Sequence, residues 1–277
     1  MPAADRYAVM GNPIHHSKSP LIHSLFAAQT GEAVNYRAIL VQPGEFAMAV
    51  NAFRDAGGRG LNITVPFKPE AHTHVDRLNE RAQRAGAVNT IIFHADGSSV
   101  GDNTDGVGLI RDLIHNHGAR LEGKRLLLLG AGGAARGVLP ALLGQRPASL
   151  VVANRTPEKA QGLARDCADL GTVRGAGLAE LAGQRFDLIV NATAAGLDDR
   201  MVTLPDELLA EGGWGYDLMY GDRPTAFVRW CRQQGAARSL DGLGMLVEQA
   251  AESFSLWRGL RPETLPVIQR LRAVETD

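Results

Sequence analysis

Four consecutive leucines, Leu126-Leu127-Leu128-Leu129, run straight into Gly130-Ala131-Gly132-Gly133-Ala134-Ala135-Arg136-Gly137. An unbroken apolar run marks a strand buried on both faces. A glycine turn leading from such a strand into a helix of small residues is the local pattern of a dinucleotide pyrophosphate site. In Gly130-x-Gly132-x-x-Ala135 the first glycine permits the tight turn, and the second lets backbone N–H groups approach an anion. The third position needs only a small residue, so that the helix sits close to the sheet. Alone, the pattern also fits a strand-to-helix turn without a ligand.

The turn starts near the middle of a 277-residue chain, so enough sequence precedes it for a separate domain. A content of 45% hydrophobic residues is enough for one or two cores. A formal charge of −1, only 5% aromatic residues and no long basic run leave no electrostatic footprint or stacking platform for nucleic acid. No apolar run approaches the roughly 20 residues that cross a bilayer, and Tyr7-Ala8-Val9-Met10 follows Arg6 without a signal-peptide pattern. A cytoplasmic protein is therefore expected. Cys167 and Cys231 match neither a CxxC motif nor a disulfide framework and read as buried or incidental thiols. His72-x-His74 and His115-x-His117 lie in segments with a helical pattern, where residues two apart point to nearly opposite sides, so no metal site is expected.

Strand-like runs at Tyr7–Met10, Tyr36–Val41, Gly60–Val65 and Val88–Phe93 alternate with helical patterns at Pro20–Gln29, Gly44–Ala56 and Val75–Arg84. Val107–Asn116 reads as a connecting helix. After it, strands near Arg125–Leu129, Ser149–Ala153, Phe186–Asn191 and Gly215–Met219 alternate with helices, as in a doubly wound Rossmann-like sheet. Leu243, Leu246, Val247, Ala250, Phe254 and Trp257 form an apolar stripe at helical spacing, which predicts a long C-terminal helix packing back on the first lobe. The fold class is thus α/β in two lobes, with residues 1–104 and 241–277 in one and 105–240 in the other.

The strand Val151-Val152-Ala153 ends in Asn154-Arg155-Thr156, where an NAD-preferring protein would usually carry Asp or Glu for the ribose 2′-hydroxyl. A guanidinium at Arg155 suits the 2′-phosphate of NADP, and Lys159 can add a second charge. Thr156 reads equally as the cap of a helix opened by Pro157.

Two further segments carry chemistry. Asn62-Ile63-Thr64-Val65-Pro66-Phe67-Lys68 is a strand ending in a proline-bent turn, which can hold Asn62, Thr64 and Lys68 toward one cleft. In Gly11-Asn12-Pro13-Ile14-His15-His16-Ser17-Lys18-Ser19-Pro20, Ser17 and Ser19 can face the same way while Pro20 opens a helix whose N–H groups favour a carboxylate. Ser19 and Asp105 also read simply as N-caps, and Lys68 as a solvated lysine.

With Gly86-Ala87-Val88-Asn89-Thr90, Gly101-Asp102-Asn103-Thr104-Asp105-Gly106, Asn154-Arg155-Thr156 and the run from Asp241-Gly242 to Gln249-Ala250, these segments resemble the shikimate dehydrogenase family from about Tyr7 to about Ile268. The resemblance implies reversible, NADPH-dependent reduction of 3-dehydroshikimate to shikimate, with residues 1–104 as the substrate domain and 105–240 as the NADP domain. It implies that Ser17 and Ser19 bind the substrate carboxylate, that Thr64, Asn89 and Gln249 contact the ring hydroxyls, and that Lys68 and Asp105 form the catalytic pair. Tyr220 would approach the substrate. Gly242 and Met245 would lie by the nicotinamide, with Thr193 and Met219 also on the cofactor side. The stretch Asn191-Ala192-Thr193-Ala194-Ala195-Gly196 departs from the family, which often carries hydroxyl residues after the threonine. A dual shikimate/quinate dehydrogenase and a non-catalytic NADP-responsive binding protein are the alternatives, and a monomer or homodimer is expected.

Overall fold

A computed structural model describes residues 4–193 and 201–274. The chain divides into two compact units, Met1–Gly108 with Val247–Glu275, and Leu109–Leu246.

The first unit carries strands β1 (Asp5–Gly11), β2 (Val34–Leu40), β3 (Gly58–Ile63), β4 (Arg77–Leu78), β5 (Thr90–Phe93) and β6 (Ser99–Asp102). They form one sheet in the order β2-β1-β3-β5-β6-β4. β1 runs parallel to β2 and β3, whereas β5 is antiparallel to β3 and to β6. Helices α1 (Ser19–Thr30), α2 (Phe46–Asp55), α3 (Lys68–His74) and α4 (Glu80–Ala85) connect the strands. Met10, Leu61, Ile63 and Ile91 join Phe46, Val50, Phe53 and Phe67 in one apolar core.

The helical pattern expected over Val75–Arg84 is not a single helix. The chain leaves α3 at Val75 in an extended conformation and forms the short β4. It re-enters a helix at Glu80, where the Asn79 side chain accepts the Ala82 N–H. An Asn cap is a local start signal that overrides the apolar spacing across it.

In the second unit, β7 (Arg125–Leu129), β8 (Ser149–Asn154), β9 (Val173–Gly177), β10 (Phe186–Asn191), β11 (Leu209–Asp217) and β12 (Arg238–Leu240) form an all-parallel sheet in the order β12-β11-β10-β7-β8-β9. Counted from β7 this is the order 3-2-1-4-5-6 of a dinucleotide-binding sheet, whose direction of winding reverses between β7 and β10. Alternate leucines of β7 serve its two faces. Leu126 and Leu128 pack with Val138, Leu139 and Leu142 of α6 (Gly133–Leu143), while Leu127 and Leu129 pack with Phe186 and Phe227. Burial on both faces is why the run carries no polar residue. Helices α7 (Pro157–Asp166) and α8 (Ala226–Gln233) complete this unit, and Cys167 and Cys231 are buried within it and not joined in a disulfide.

Helix α5 (Asp105–Arg111) passes into one π turn, Asp112–Asn116. Helix α9 (Leu243–Arg258) belongs to the first unit from Val247 onward. There Trp257 stacks on Tyr7 with ring centroids 4.7 Å apart and donates its indole N–H to the Ile91 carbonyl at 3.0 Å. Gly60 leaves room for that indole, because a Cβ there would lie 2.3 Å from Trp257 Nε1. A final helix, α10 (Leu265–Val274), follows α9. Among the described residues no helix is long and apolar enough to cross a membrane.

Candidate functional site

The first unit brings Lys68 and Asp105 together. Lys68 opens α3 directly after the Thr64–Phe67 turn, which is closed by the Phe67 N–H on the Thr64 carbonyl at 3.0 Å. Asp105 opens α5 directly after β6. Lys68 Nζ lies 2.6 Å from Asp105 Oδ2, with the two side chains 20% and 9% exposed. This is a charge-assisted hydrogen bond shielded from most of the solvent, yet open enough on the lysine for a small molecule to reach it. The reading of Lys68 as a free surface lysine is thereby set aside.

Asn89, 2% exposed, gives its side-chain N–H to Asp105 Oδ1 at 2.8 Å, the oxygen that Lys68 does not hold. Thr104 and Gln249 adjoin the same amide, Thr104 Oγ1 at 2.9 Å and Gln249 Oε1 at 3.4 Å. Asp105 therefore spends its carboxylate on a lysine and an amide, while its own backbone N–H is taken by Asn103 Oδ1 at 3.1 Å. Ser17 and Ser19 adjoin at the start of α1, where the Ser19 N–H meets Ser17 Oγ at 3.3 Å. The helix begins at Ser19 with Lys18 in the capping position, so the Ser19 hydroxyl does not serve as the cap. Thr64 is half-buried on the turn before Lys68.

Asn62 differs from the expectation of a cleft-facing residue. It is buried, bonded to Tyr36, Thr90 and Ser253 as well as to the Asn89 carbonyl. Sequence reasoning also passed over Tyr36, Thr90, Thr104 and Ser253. The available signal was Ser253 one helical turn beyond Gln249, which puts both on one side of α9.

The second unit holds the glycine turn. Gly130 follows β7 at φ +105°, and a Cβ there would come within 2.8 Å of the Ala192 carbonyl, so only glycine fits. Ala131 follows it half-buried. Gly132, Gly133 and Ala134 are exposed, and a Cβ added at Gly132 or Gly133 would meet no protein atom within 4 Å. Helix α6 starts there with no side-chain cap and no acidic residue in its first turn. The free N–H groups and open space suit a phosphate-bearing ligand. Ala135 is fully buried against the sheet, as the motif requires.

At the end of β8, Asn154 turns its amide onto the Thr156 carbonyl at 3.0 Å, and Arg155, Thr156 and Lys159 stand exposed. Thr156 does occupy the capping position of α7, but without a side-chain bond. A planar guanidinium and an ammonium at this place fit the 2′-phosphate of NADP. Thr193 donates its hydroxyl to Asn191 Oδ1 at 2.8 Å; Ala194, Ala195 and Gly196, on which the departure from the family pattern falls, lie outside the described residues. The Gly242 N–H bonds the Met219 carbonyl at 2.9 Å, and a Cβ at Gly242 would lie 2.2 Å from the Leu218 carbonyl. Met245 packs into the core of this unit, while Tyr220 is half-buried just after β11.

Three family models match in chain order: the shikimate dehydrogenase substrate binding domain over residues 9–91, shikimate / quinate 5-dehydrogenase over 112–198, and the shikimate 5′-dehydrogenase C-terminal domain over 242–272. The NADP(+) shikimate dehydrogenase of Alkalilimnicola ehrlichii is 59% identical, over 97% of this chain and 98% of its own. That of Methylococcus capsulatus is 56% identical over 99% and 98%. The crystal structure of shikimate 5-dehydrogenase from Thermus thermophilus in complex with NADP(H) and shikimate superposes with a TM-score of 0.86 at 34% identity, covering 97% of this chain and 99% of that one. With relatives of this identity along almost its whole length, the chain belongs to the shikimate dehydrogenase family.

Proposed function

We propose that the protein catalyses the reversible, NADP-dependent interconversion of 3-dehydroshikimate and shikimate in aromatic amino-acid biosynthesis. The observation that carries this reading is the 2.6 Å contact of Lys68 with Asp105. A binding protein needs the glycine turn but has no use for a partly shielded acid/base pair.

In this reading the first unit, Met1–Gly108 with Val247–Glu275, holds the substrate and the second, Leu109–Leu246, holds NADP. Ser17, Ser19 and the start of α1 receive the substrate carboxylate, while Thr64, Asn89 and Gln249 orient the ring hydroxyls. Tyr220 adds a further contact to the substrate. Gly130 to Ala134 cradle the pyrophosphate, Asn154, Arg155, Thr156 and Lys159 grip the adenosine end, and Thr193, Met219, Gly242 and Met245 border the nicotinamide. The bound nicotinamide supplies the hydride.

Reduction of a ketone builds negative charge on its oxygen, and a donor fixed where that charge develops lowers the barrier. Lys68 is that donor: its ammonium hydrogen-bonds the oxygen and passes the proton that completes the hydroxyl. Asp105 keeps the lysine on station and accepts from the substrate hydroxyl, so the two protonation states are coupled. In the direction of oxidation the same pair removes the proton.

Quinate carries one more ring hydroxyl beside its carboxylate. The family model that spans both substrates makes quinate the second substrate to assay. We place the protein in the cytoplasm as a monomer or homodimer, which light scattering would resolve. The decisive assay is spectrophotometric reduction of NADP with shikimate and with quinate, each repeated with NAD. Tight NADP binding without turnover of shikimate would sink the enzymatic reading.

A further inference from the structure

In the second unit, β11 ends in Asp217, a fully buried carboxylate whose partners are all uncharged donors. Its Oδ1 receives the Asn191 side-chain amide at 3.0 Å and the Met219 backbone N–H at 3.1 Å. Its Oδ2 receives the Thr225 hydroxyl at 2.6 Å. Among the described residues no cation pairs with it. A buried carboxylate without a counter-ion costs stability, so the convergence of three donors on this one calls for a physical reason.

Asn191 and Asp217 are register partners at the ends of the neighbouring strands β10 and β11. The Thr193 backbone N–H can only donate, and it reaches Asn191 Oδ1 at 3.2 Å beside the Thr193 hydroxyl at 2.8 Å. The Asn191 NH2 is therefore turned to Asp217. On the other side the Met219 carbonyl accepts the Gly242 N–H at 2.9 Å. Among the described residues neither the Asn191 NH2 nor the Met219 N–H has another acceptor. One oxygen, Asp217 Oδ1, thus joins the end of β10 to the turn after β11, with Thr193 next in line beyond Asn191 and Gly242 next beyond Met219.

We infer that Asp217 is a positioning residue for hydride transfer: through Oδ1 it fixes Asn191 and Met219 against each other, and with them the Thr193, Met219 and Gly242 border of the nicotinamide. The inference rests on the NADP-dependent reading given above, which assigns those three residues to the nicotinamide. The hydrogen bonds carry this role and the charge does not. Burial and the neighbouring charge of Asp241 raise the Asp217 carboxyl above its ordinary range, against the pull of its three donors. An asparagine at this place keeps the pattern: its Oδ1 takes the same two donors and its NH2 turns to Thr225 Oγ1, whose half-buried hydroxyl can send its own proton elsewhere. An alanine leaves the Asn191 amide and the Met219 N–H without an acceptor.

The test is the single-turnover rate of NADP reduction by shikimate, which isolates hydride transfer from binding and release. Asp217→Ala should slow it roughly 10- to 100-fold, as for a cofactor ring held out of line, while the KM for shikimate stays within about twofold. The same variant should bind 2′-phospho-ADP-ribose, which lacks the nicotinamide, as the unaltered protein does. Asp217→Asn should restore the rate to within about threefold, as for a replacement that keeps the hydrogen bonds. Asn191→Ala removes only the arm to Thr193 and should slow the same step about 3- to 10-fold; with Asp217→Asn it decides the matter if the alanine at 217 prevents folding. A merely structural role would lower the melting temperature and leave the single-turnover rate of the folded protein alone. An unchanged rate in Asp217→Ala or Asn191→Ala, an Asp217→Asn as slow as the alanine, or loss of 2′-phospho-ADP-ribose binding together with the rate would overturn the inference. Failure of the unaltered protein to turn over shikimate with NADP would instead overturn the functional reading on which it rests.

Discussion

Asn89 and Lys68 grip opposite oxygens of one carboxylate: the amide meets Asp105 Oδ1 at 2.8 Å and the ammonium meets Oδ2 at 2.6 Å. A carboxylate held at both ends cannot rotate away from the lysine, so the pair is set before a substrate arrives. Lys68→Met keeps the length of the side chain and deletes its charge. It should lower kcat by roughly 10²–10⁴, with a smaller change in KM, the pattern of an interaction made mainly in the transition state. Steady-state kinetics decide it, and near-normal turnover would remove the lysine from the mechanism.

The open space at the start of α6 separates a binding glycine from a packing glycine. A Cβ at Gly132 would meet nothing within 4 Å, whereas one at Gly175 would lie 2.3 Å from the Gln161 backbone nitrogen. Gly132→Ala should leave the melting temperature almost unchanged and weaken NADP binding about tenfold or more, by filling the approach to the helix N–H groups. Gly175→Ala should cost about 1–3 kcal/mol of stability through overpacking. Calorimetry and cofactor titration on both variants test the contrast, and equal destabilisation would refute it.

Arg155 is exposed at the end of β8. Arg155→Ala should raise the KM for NADP about tenfold or more while leaving that for NAD nearly unchanged, since only the former carries a 2′-phosphate. A parallel loss with both nucleotides would assign the arginine some other task.

His23 gives the protein an acid-sensitive element. Burial among aromatic rings pushes its imidazole down to about 3, against 6.5 for a free histidine. Between these values the unfolded chain binds a proton that the folded one does not, so stability rises with pH across the window. It is lost as pH falls below 6.5, at up to about 1.4 kcal/mol per pH unit from this one group. His23→Phe should flatten the dependence by that amount in urea unfolding between pH 4 and pH 7, an estimate that follows from the same linkage. An identical slope in both proteins would contradict the assignment.

The parallel sheet was readable because each of its central strands is an apolar run bounded by turn residues, as at Leu126–Leu129 and Val151–Ala153. The start of α3 was obscured because Lys68-Pro69 follows a proline-bent strand and carries no apolar stripe of its own. The Asn79 cap likewise cut a continuous helical spacing in two. β4, β9 and β12 span two, five and three residues, too little for a period to show in β4 and β12. At the site, the glycine turn was legible from its motif and spacing, and Lys68, Asp105 and Asn89 through the resemblance to the shikimate dehydrogenase family. The layer behind them was not. Thr90, Thr104 and Ser253 look in sequence like ordinary polar residues, and only the folded sheet and α9 show that they have been taken out of water together.

The exposed loop after β8 has an evolutionary consequence. Arg155, just after β8, and Lys159, in the first turn of α7, lie outside every apolar core of the second unit, while β8 is locked between β7 and β9. Substitutions at those two positions can retune which redox pool the enzyme draws on without a toll on folding, so lineages are free to drift in coenzyme choice while the scaffold stays the same.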